Sequence, residues 1–154
     1  MAGKLPPLFT IGYEQATLDT VLAALGNARV SLLVDTRAVA ASRKPGFSKR
    51  QFAAALDERG IRYLHLQKLG TPAEGRQAAR KGDLGTLWRV YERHLKTPDA
   101  REAMDGLMAL VRSKQRICLL CFERDPGRCH RSRIAGIIHE ETGAQIVNLI
   151  PESA

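Results

Sequence analysis

Apolar positions along the chain switch between two periods. Short runs that are apolar at nearly every position, "LFTIGY" (8–13), "SLLVDTR" (31–37), "IRYLHL" (61–66), "RICLLCF" (116–122) and "AQIVNLI" (144–150), read as strands buried on both faces. Between them the apolar residues recur every three to four positions, the helical period. Leu18, Val21, Leu22 and Leu25 form one stripe, with Thr17 placed to cap its start and Gly26 its end. Ser48 and Gln51 have capping-box spacing, Phe47 and Phe52 have staple spacing, and Gly60 stops that second helix. Leu84, Leu87, Trp88, Tyr91 and Leu95 make a third stripe; Thr97 and Pro98 then open a fourth helix. Ile134, Ile137 and Ile138 mark a fifth, ended by Gly143.

Strands of this kind separated by helices predict a single-domain α/β fold over residues 1–154, a three-layer α/β/α sandwich around a mostly parallel sheet of about five strands. The segment 67–83, "QKLGTPAEGRQAARKGD", has little apolar periodicity and reads as a lid, a binding loop or a disordered stretch.

In an open parallel sheet, ligands bind beyond the carboxyl ends of the strands. The predicted strands deliver Tyr13 and Glu14, Asp35 and Arg37, His65, and Cys121 and Glu123 to that rim. The stretch "CFERDPGRCHRSR" (121–133) adds Arg128, Cys129, His130 and Arg131 at the entrance of the fifth helix, which starts either at Asp125-Pro126 or a few residues later. Alternation along a strand sends Cys118 and Cys121 to opposite faces, so "CLLC" is not a redox or zinc pair; Cys118 is a core residue. Cys121 is either a thiolate facing the crevice or a packed cysteine. Cys129 lies near a positive helix end among basic side chains, which suits a nucleophilic thiol and equally suits phosphate binding without chemistry.

Zinc is set aside. Cys121, Cys129, His130 and Glu123 are acceptable ligand types, but there is no second tight pair, and neighbouring Cys-His donors bite poorly on one tetrahedral ion. No metal and no cofactor are expected. A phosphatase or rhodanese cradle fits poorly too, because six residues separate Cys121 from Arg128 and two of them, Glu123 and Asp125, would repel phosphate.

Composition sharpens the choice of ligand. The net charge is +8, and Arg outnumbers Lys by 17 to 7, which favours bidentate contacts to phosphate or carboxylate and points to an anionic small molecule or nucleic acid as partner. In "SRKPGFSKR" (42–50), Arg43, Lys44 and Lys49 crowd a helix start where they oppose its dipole; a bound anion would account for them, with Arg37 upstream and Arg76, Arg80 and Lys81 closing from the long segment. Three cysteines in a chain able to bury a real core argue for reduced thiols rather than a disulfide scaffold. Neither a secretory leader nor an apolar span is apparent, so a cytoplasmic protein with no membrane partner is expected.

The motifs "TIGYE", "VDTRAVAASRKPGFSKR", "GIRYLHLQKLGTPAEGR" and "CFERDPGRCHRS" resemble, in this order and spacing, the DUF488 family of small, functionally uncharacterised α/β proteins. The resemblance runs from about residue 9 to about residue 150, and its most distinctive part is the signature carried by Cys121, Glu123, Cys129, His130 and Arg131. It implies an α/β fold with a rim of polar motif residues and no established reaction. Three positions depart from the family pattern: Thr36 stands where valine is usual, Ala40 where proline is, and Asn148 where a histidine is common near the last strand.

Three functional classes follow. The first is an enzyme acting on a phosphorylated or nucleic-acid-related substrate, with Tyr13, Arg37, Arg43, Lys44, His65, Arg128 and Arg131 holding the anion. Its chemistry falls to Cys121, Glu123, Cys129 and His130, with Asp35 or Glu14 as acid or base. The second is a nucleic-acid or phosphate-binding module without turnover, disfavoured by the 5% aromatic content. The third is a thiol-based redox regulator, which requires Cys121 and Cys129 to meet.

Overall fold

The computed structural model describes residues 4–153. Five strands, β1 (Leu8–Gly12), β2 (Leu32–Asp35), β3 (Arg62–His65), β4 (Ile117–Cys121) and β5 (Ile146–Leu149), form one sheet in the order β3-β2-β4-β1-β5, every neighbouring pair parallel. The expected α/β architecture is thus present. β1, β2 and β4 are buried at every residue, as their unbroken apolar runs require. Alternate side chains feed two cores. Phe9, Ile11, Leu33, Cys118 and Leu120 pack under α1 (Leu18–Asn27) and α2 (Lys49–Glu58). Leu8, Leu32, Val34, Ile117 and Leu119 pack against α4 (Leu84–Leu95), α5 (Pro98–Arg112) and α6 (His130–Thr142) on the other face.

Several ends form as the residues dictate. Thr17 and Thr20 make a reciprocal capping box on α1. Gly143 takes a left-handed conformation (φ +80°) and sends its N–H to the carbonyl of His139, closing α6. Thr97 caps α5 through Ala100 N and also donates to His94 O (2.8 Å), tying α4 to α5. Thr97→Ala is expected to cost about 1 kcal/mol, read as a lower urea midpoint at unchanged slope.

Three local expectations are corrected. α1 runs through Gly26, and Arg29 takes the left-handed turn (φ +57°) after it. Ser48 precedes α2, but its hydroxyl is engaged with the backbone N–H and carbonyl of Ser42, closing the 42–48 loop instead of capping; Phe47 and Phe52 do meet, 5.5 Å between ring centres. The segment 67–83 is largely helical, a one-turn 3-10 helix at Gln67–Leu69 followed by α3 (Ala73–Arg80). Its buried face is made of Gly75 and Ala78, residues too small to register as an apolar stripe, and Gly75 sits close against Val90 of α4. No helix among the described residues is long and apolar enough to cross a membrane.

Candidate functional site

The chain leaves β1 toward β2 on one side of the sheet and leaves β4 toward β5 on the other, so the connections diverge above neighbouring strands and open a crevice at their carboxyl ends. A cavity of about 1140 Å³ lies there.

Its floor is laced together by the strand ends. Glu14 N–H donates to Phe122 O (2.8 Å), and the Glu14 carboxylate accepts from Arg124 N (3.0 Å), joining the loop after β1 to the loop after β4. At the end of β2, Asp35 binds Arg37 through both carboxylate oxygens, 2.7 Å at the closest, and also accepts from Tyr63 OH (2.5 Å). Arg37 Nη1 donates to Tyr13 OH (3.1 Å) and Phe47 O (2.7 Å), and Tyr13 stacks flat on Phe47. Burial works against the Arg37 charge, but Asp35 more than restores it. The Tyr63 phenol is pushed up by burial and by its bond to Asp35.

β4 ends in Cys121. Asp125 caps a single 3-10 turn, Pro126–Arg128, and Cys129, in extended conformation (φ −134°, ψ 142°), is the N-cap of α6, so the later of the two predicted starts is correct. Cys121 and Cys129 are joined as a disulfide with 7.3 Å between their Cα atoms; only Cys118 is free. The expectation of three reduced thiols therefore holds for Cys118 alone, since the 3-10 turn folds the seven residues between the other two back on the strand end. Burial pushes the Cys118 thiol well above its ordinary range. His130 Nε2–H donates to Thr36 O (2.8 Å), and burial lowers this imidazole to about 4, the Thr36 bond opposing, so it is neutral at pH 7. Glu123 places a carboxylate oxygen 3.2 Å from Cys121 Sγ; burial pushes its pKa up, with Arg131 pulling against and Glu14 adding to the rise.

Of the residues expected at the rim, Tyr13, Glu14, Arg37, Cys121, Glu123, Arg128, Cys129 and His130 line the cavity. The others do not. Asp35 is fully buried as the partner of Arg37, which suits a fixed ion pair and not an acid or base. His65 Nε2–H donates to Arg37 O (2.7 Å). Lys44 turns its ammonium to Ala16 O (2.9 Å), and Arg43 points to solvent, so the basic cluster before α2 stands outside the cavity. Arg131, fully buried because the first turn of α6 packs on the end of β4, donates to Glu123 O (2.5 Å) and Arg124 O (3.2 Å) and holds that loop instead of a ligand. Arg37 lines the wall, yet nearly all its donors are spent inside the protein.

Arginines the strand pattern did not bring to the front complete the wall. Arg76 and Arg80 lie one turn apart on α3 and face the cavity, Arg76 steadied by Thr71 O (2.8 Å). Arg124 also lines it, bonded to Pro151 O (2.6 Å), while its buried Nη1 has no partner among the described residues. The expectation that Arg76, Arg80 and Lys81 close from this segment over the basic cluster before α2 is corrected. Arg76 and Arg80 instead line the crevice together with Arg37, and Lys81 does not, the i, i+4 spacing of the two arginines placing both on one face once the segment is helical. Asn148 accepts from Thr10 (2.5 Å) within the sheet and is not among the cavity residues.

Fold and site together define a parallel-sheet α/β protein with a polar, arginine-walled crevice at a topological switch point. Residues 17–138 match the family described as "Domain of unknown function DUF488", and the chain belongs to that family. The matched span takes in the signature from Cys121 to Arg131 and begins after Tyr13 and Glu14. No curated protein and no solved structure matches the chain.

Proposed function

We propose that this protein is an enzyme acting on a phosphorylated or nucleic-acid-related anionic substrate bound in the crevice. One juxtaposition carries the reading: Arg76 and Arg80 on α3 line the same cavity as Arg128 and the Cys121/Glu123/Cys129/His130 cluster. Guanidinium groups contributed by α3 and by the loop after β4 suit an anion such as a phosphate, which planar donors bind bidentately. The floor then supplies the groups for chemistry: burial keeps His130 a neutral ring, its bond to Thr36 O orients it, and Glu123 stands inside the cavity. Arg37, Asp35, Tyr13 and Tyr63 serve this site as its frame, since they bond to one another.

Phosphate release from a panel of phosphomonoesters, nucleotides and short oligonucleotides tests the reading, alongside calorimetric titration with inorganic pyrophosphate. Arg76→Gln with Arg80→Gln is expected to weaken pyrophosphate binding about tenfold or more and to flatten its salt dependence, each contact being a charge-assisted hydrogen bond of about 1.5–3 kcal/mol. Affinity with no product from any substrate would favour the non-catalytic binding module. Pyrophosphate affinity untouched by the double substitution would remove the anionic reading altogether.

A further inference from the structure

We propose that Cys121, Cys129 and His130 form a zinc site, two thiolates and the Nδ1 of His130 supplying three ligands and the fourth position facing the cavity.

The three donors come from two elements and meet at one point, with all ligand atoms within 4.8 Å of one another and all three residues buried. The poor bite expected of neighbouring Cys and His is relieved by the backbone. Cys129 is extended and His130 is the first helical residue, and this change of direction brings Cys129 Sγ and His130 Nδ1 to 3.8 Å. Sulfur and nitrogen ligands of a tetrahedral zinc, at about 2.3 and 2.0–2.1 Å from the ion, stand about 3.6 Å apart.

Two further observations point to a metal and not only to a disulfide. The Cα atoms of Cys121 and Cys129 are 7.3 Å apart, beyond the usual disulfide span of about 4.4–6.8 Å, so once the pair is reduced the two sulfurs can separate to admit an ion without the backbone having to open. The surrounding groups are also those that serve ligated residues. His130 donates its Nε2–H to the Thr36 carbonyl, which leaves the Nδ1 lone pair directed at the thiols, as a metal-bound imidazole requires. Arg131, fully buried and without a carboxylate partner in any salt bridge among the described residues, brings Nη1 to 3.6 Å from Cys121 Sγ while its Nε has no hydrogen-bond partner. That guanidinium is placed as an N–H donor to a ligated sulfur, the kind of outer contact that orients a metal-bound thiolate, while the Glu123 carboxylate beside it offsets part of its charge.

Soft sulfur with imidazole in a tetrahedral set selects zinc among the common divalent ions. Three protein ligands and an open position are the arrangement of reactive zinc, and the Glu123 carboxylate stands beside that opening. The disulfide and the zinc site use the same two sulfurs, so the metal requires the reduced protein. The inference does not rest on the anionic-substrate reading, because it is read as metal content and not as turnover.

The full chain, purified under a phosphine reductant and desalted, is analysed for metal and titrated with Co²⁺. About one zinc per chain is expected, released when a mercurial blocks the thiols, and Co²⁺ should give a thiolate-to-cobalt charge-transfer band with tetrahedral d–d absorption. Cys129→Ser should lose the band. Should that variant fail to fold, the wild type suffices: two thiols should be shielded from a disulfide reagent with zinc present and exposed once a chelator has removed it. Reduced, folded protein that retains no zinc, gives no charge-transfer band and shows the same thiol reactivity with and without zinc overturns the site.

Discussion

Asp35→Ala should destabilise the protein by about 3–5 kcal/mol, the range for breaking a buried ion pair by removing one partner. Asp35 is wholly buried and receives Arg37 on both oxygens and the Tyr63 hydroxyl on one. Without it, a guanidinium remains in the interior facing only Tyr13 OH and Phe47 O, neutral acceptors that do not offset its lost hydration. The measurement is a urea unfolding curve, where the midpoint falls at unchanged slope. Arg37→Met added to Asp35→Ala should recover part of the loss, because the stranded charge is then gone; a double variant as unstable as the sum of the two singles would show that the pair is not coupled. A shift under about 1 kcal/mol for Asp35→Ala would show that water or another acceptor reaches Arg37.

Gly12→Ala is the second large effect expected. Gly12 ends β1 with ordinary strand backbone, so what it needs is space and not an unusual φ. A Cβ built there would lie 1.7 Å from the carbonyl oxygen of Glu123 and 2.5 Å from its carbonyl carbon. Those are backbone atoms of the loop after β4, the same carbonyl that Arg131 holds, and the same loop that Glu14 and Arg124 pin to β1. Admitting a methyl therefore means moving the loop, at about 3 kcal/mol, the upper end for overpacking. The displacement should also part Cys121 from Cys129. Slower disulfide formation with diamide, measured against the wild type at a temperature where both are folded, would record it. Unchanged stability and unchanged oxidation would mean that the loop tolerates the shift and that Gly12 does not set the site.

The sites that read correctly in the sequence are those fixed by neighbours in the chain. Thr97-Pro98 opening α5 and Gly143 closing α6 rest on local hydrogen bonds and local φ/ψ preferences, which a short window contains. The Ser48 cap misled because its hydroxyl had a second local choice, the backbone of Ser42 across a Pro-Gly turn. α3 was hidden because its packing surface is glycine and alanine, residues that bury well only when a partner helix approaches closely.

By itself the sequence determined the alternation of buried strands and helices, the parallel sheet, and the delivery of Tyr13, Glu14, Arg37, Cys121, Glu123, Cys129 and His130 to one rim, because alternation and helical period are properties of the chain read in order. Tertiary structure decided which of those groups are free. It spent Asp35 and Arg37 on each other, turned Lys44 and His65 to backbone carbonyls, buried Arg131 under α6, and set Arg76 and Arg80 over the cavity. It also brought Cys121, Cys129 and His130 to a point. Several of these partners are near in the chain, Asp35 and Arg37 two residues apart and Cys121 and Cys129 eight, but which partner a side chain meets depends on how the loops at the strand ends are held and buried, and that is fixed only when the sheet and its two helical layers close on one another.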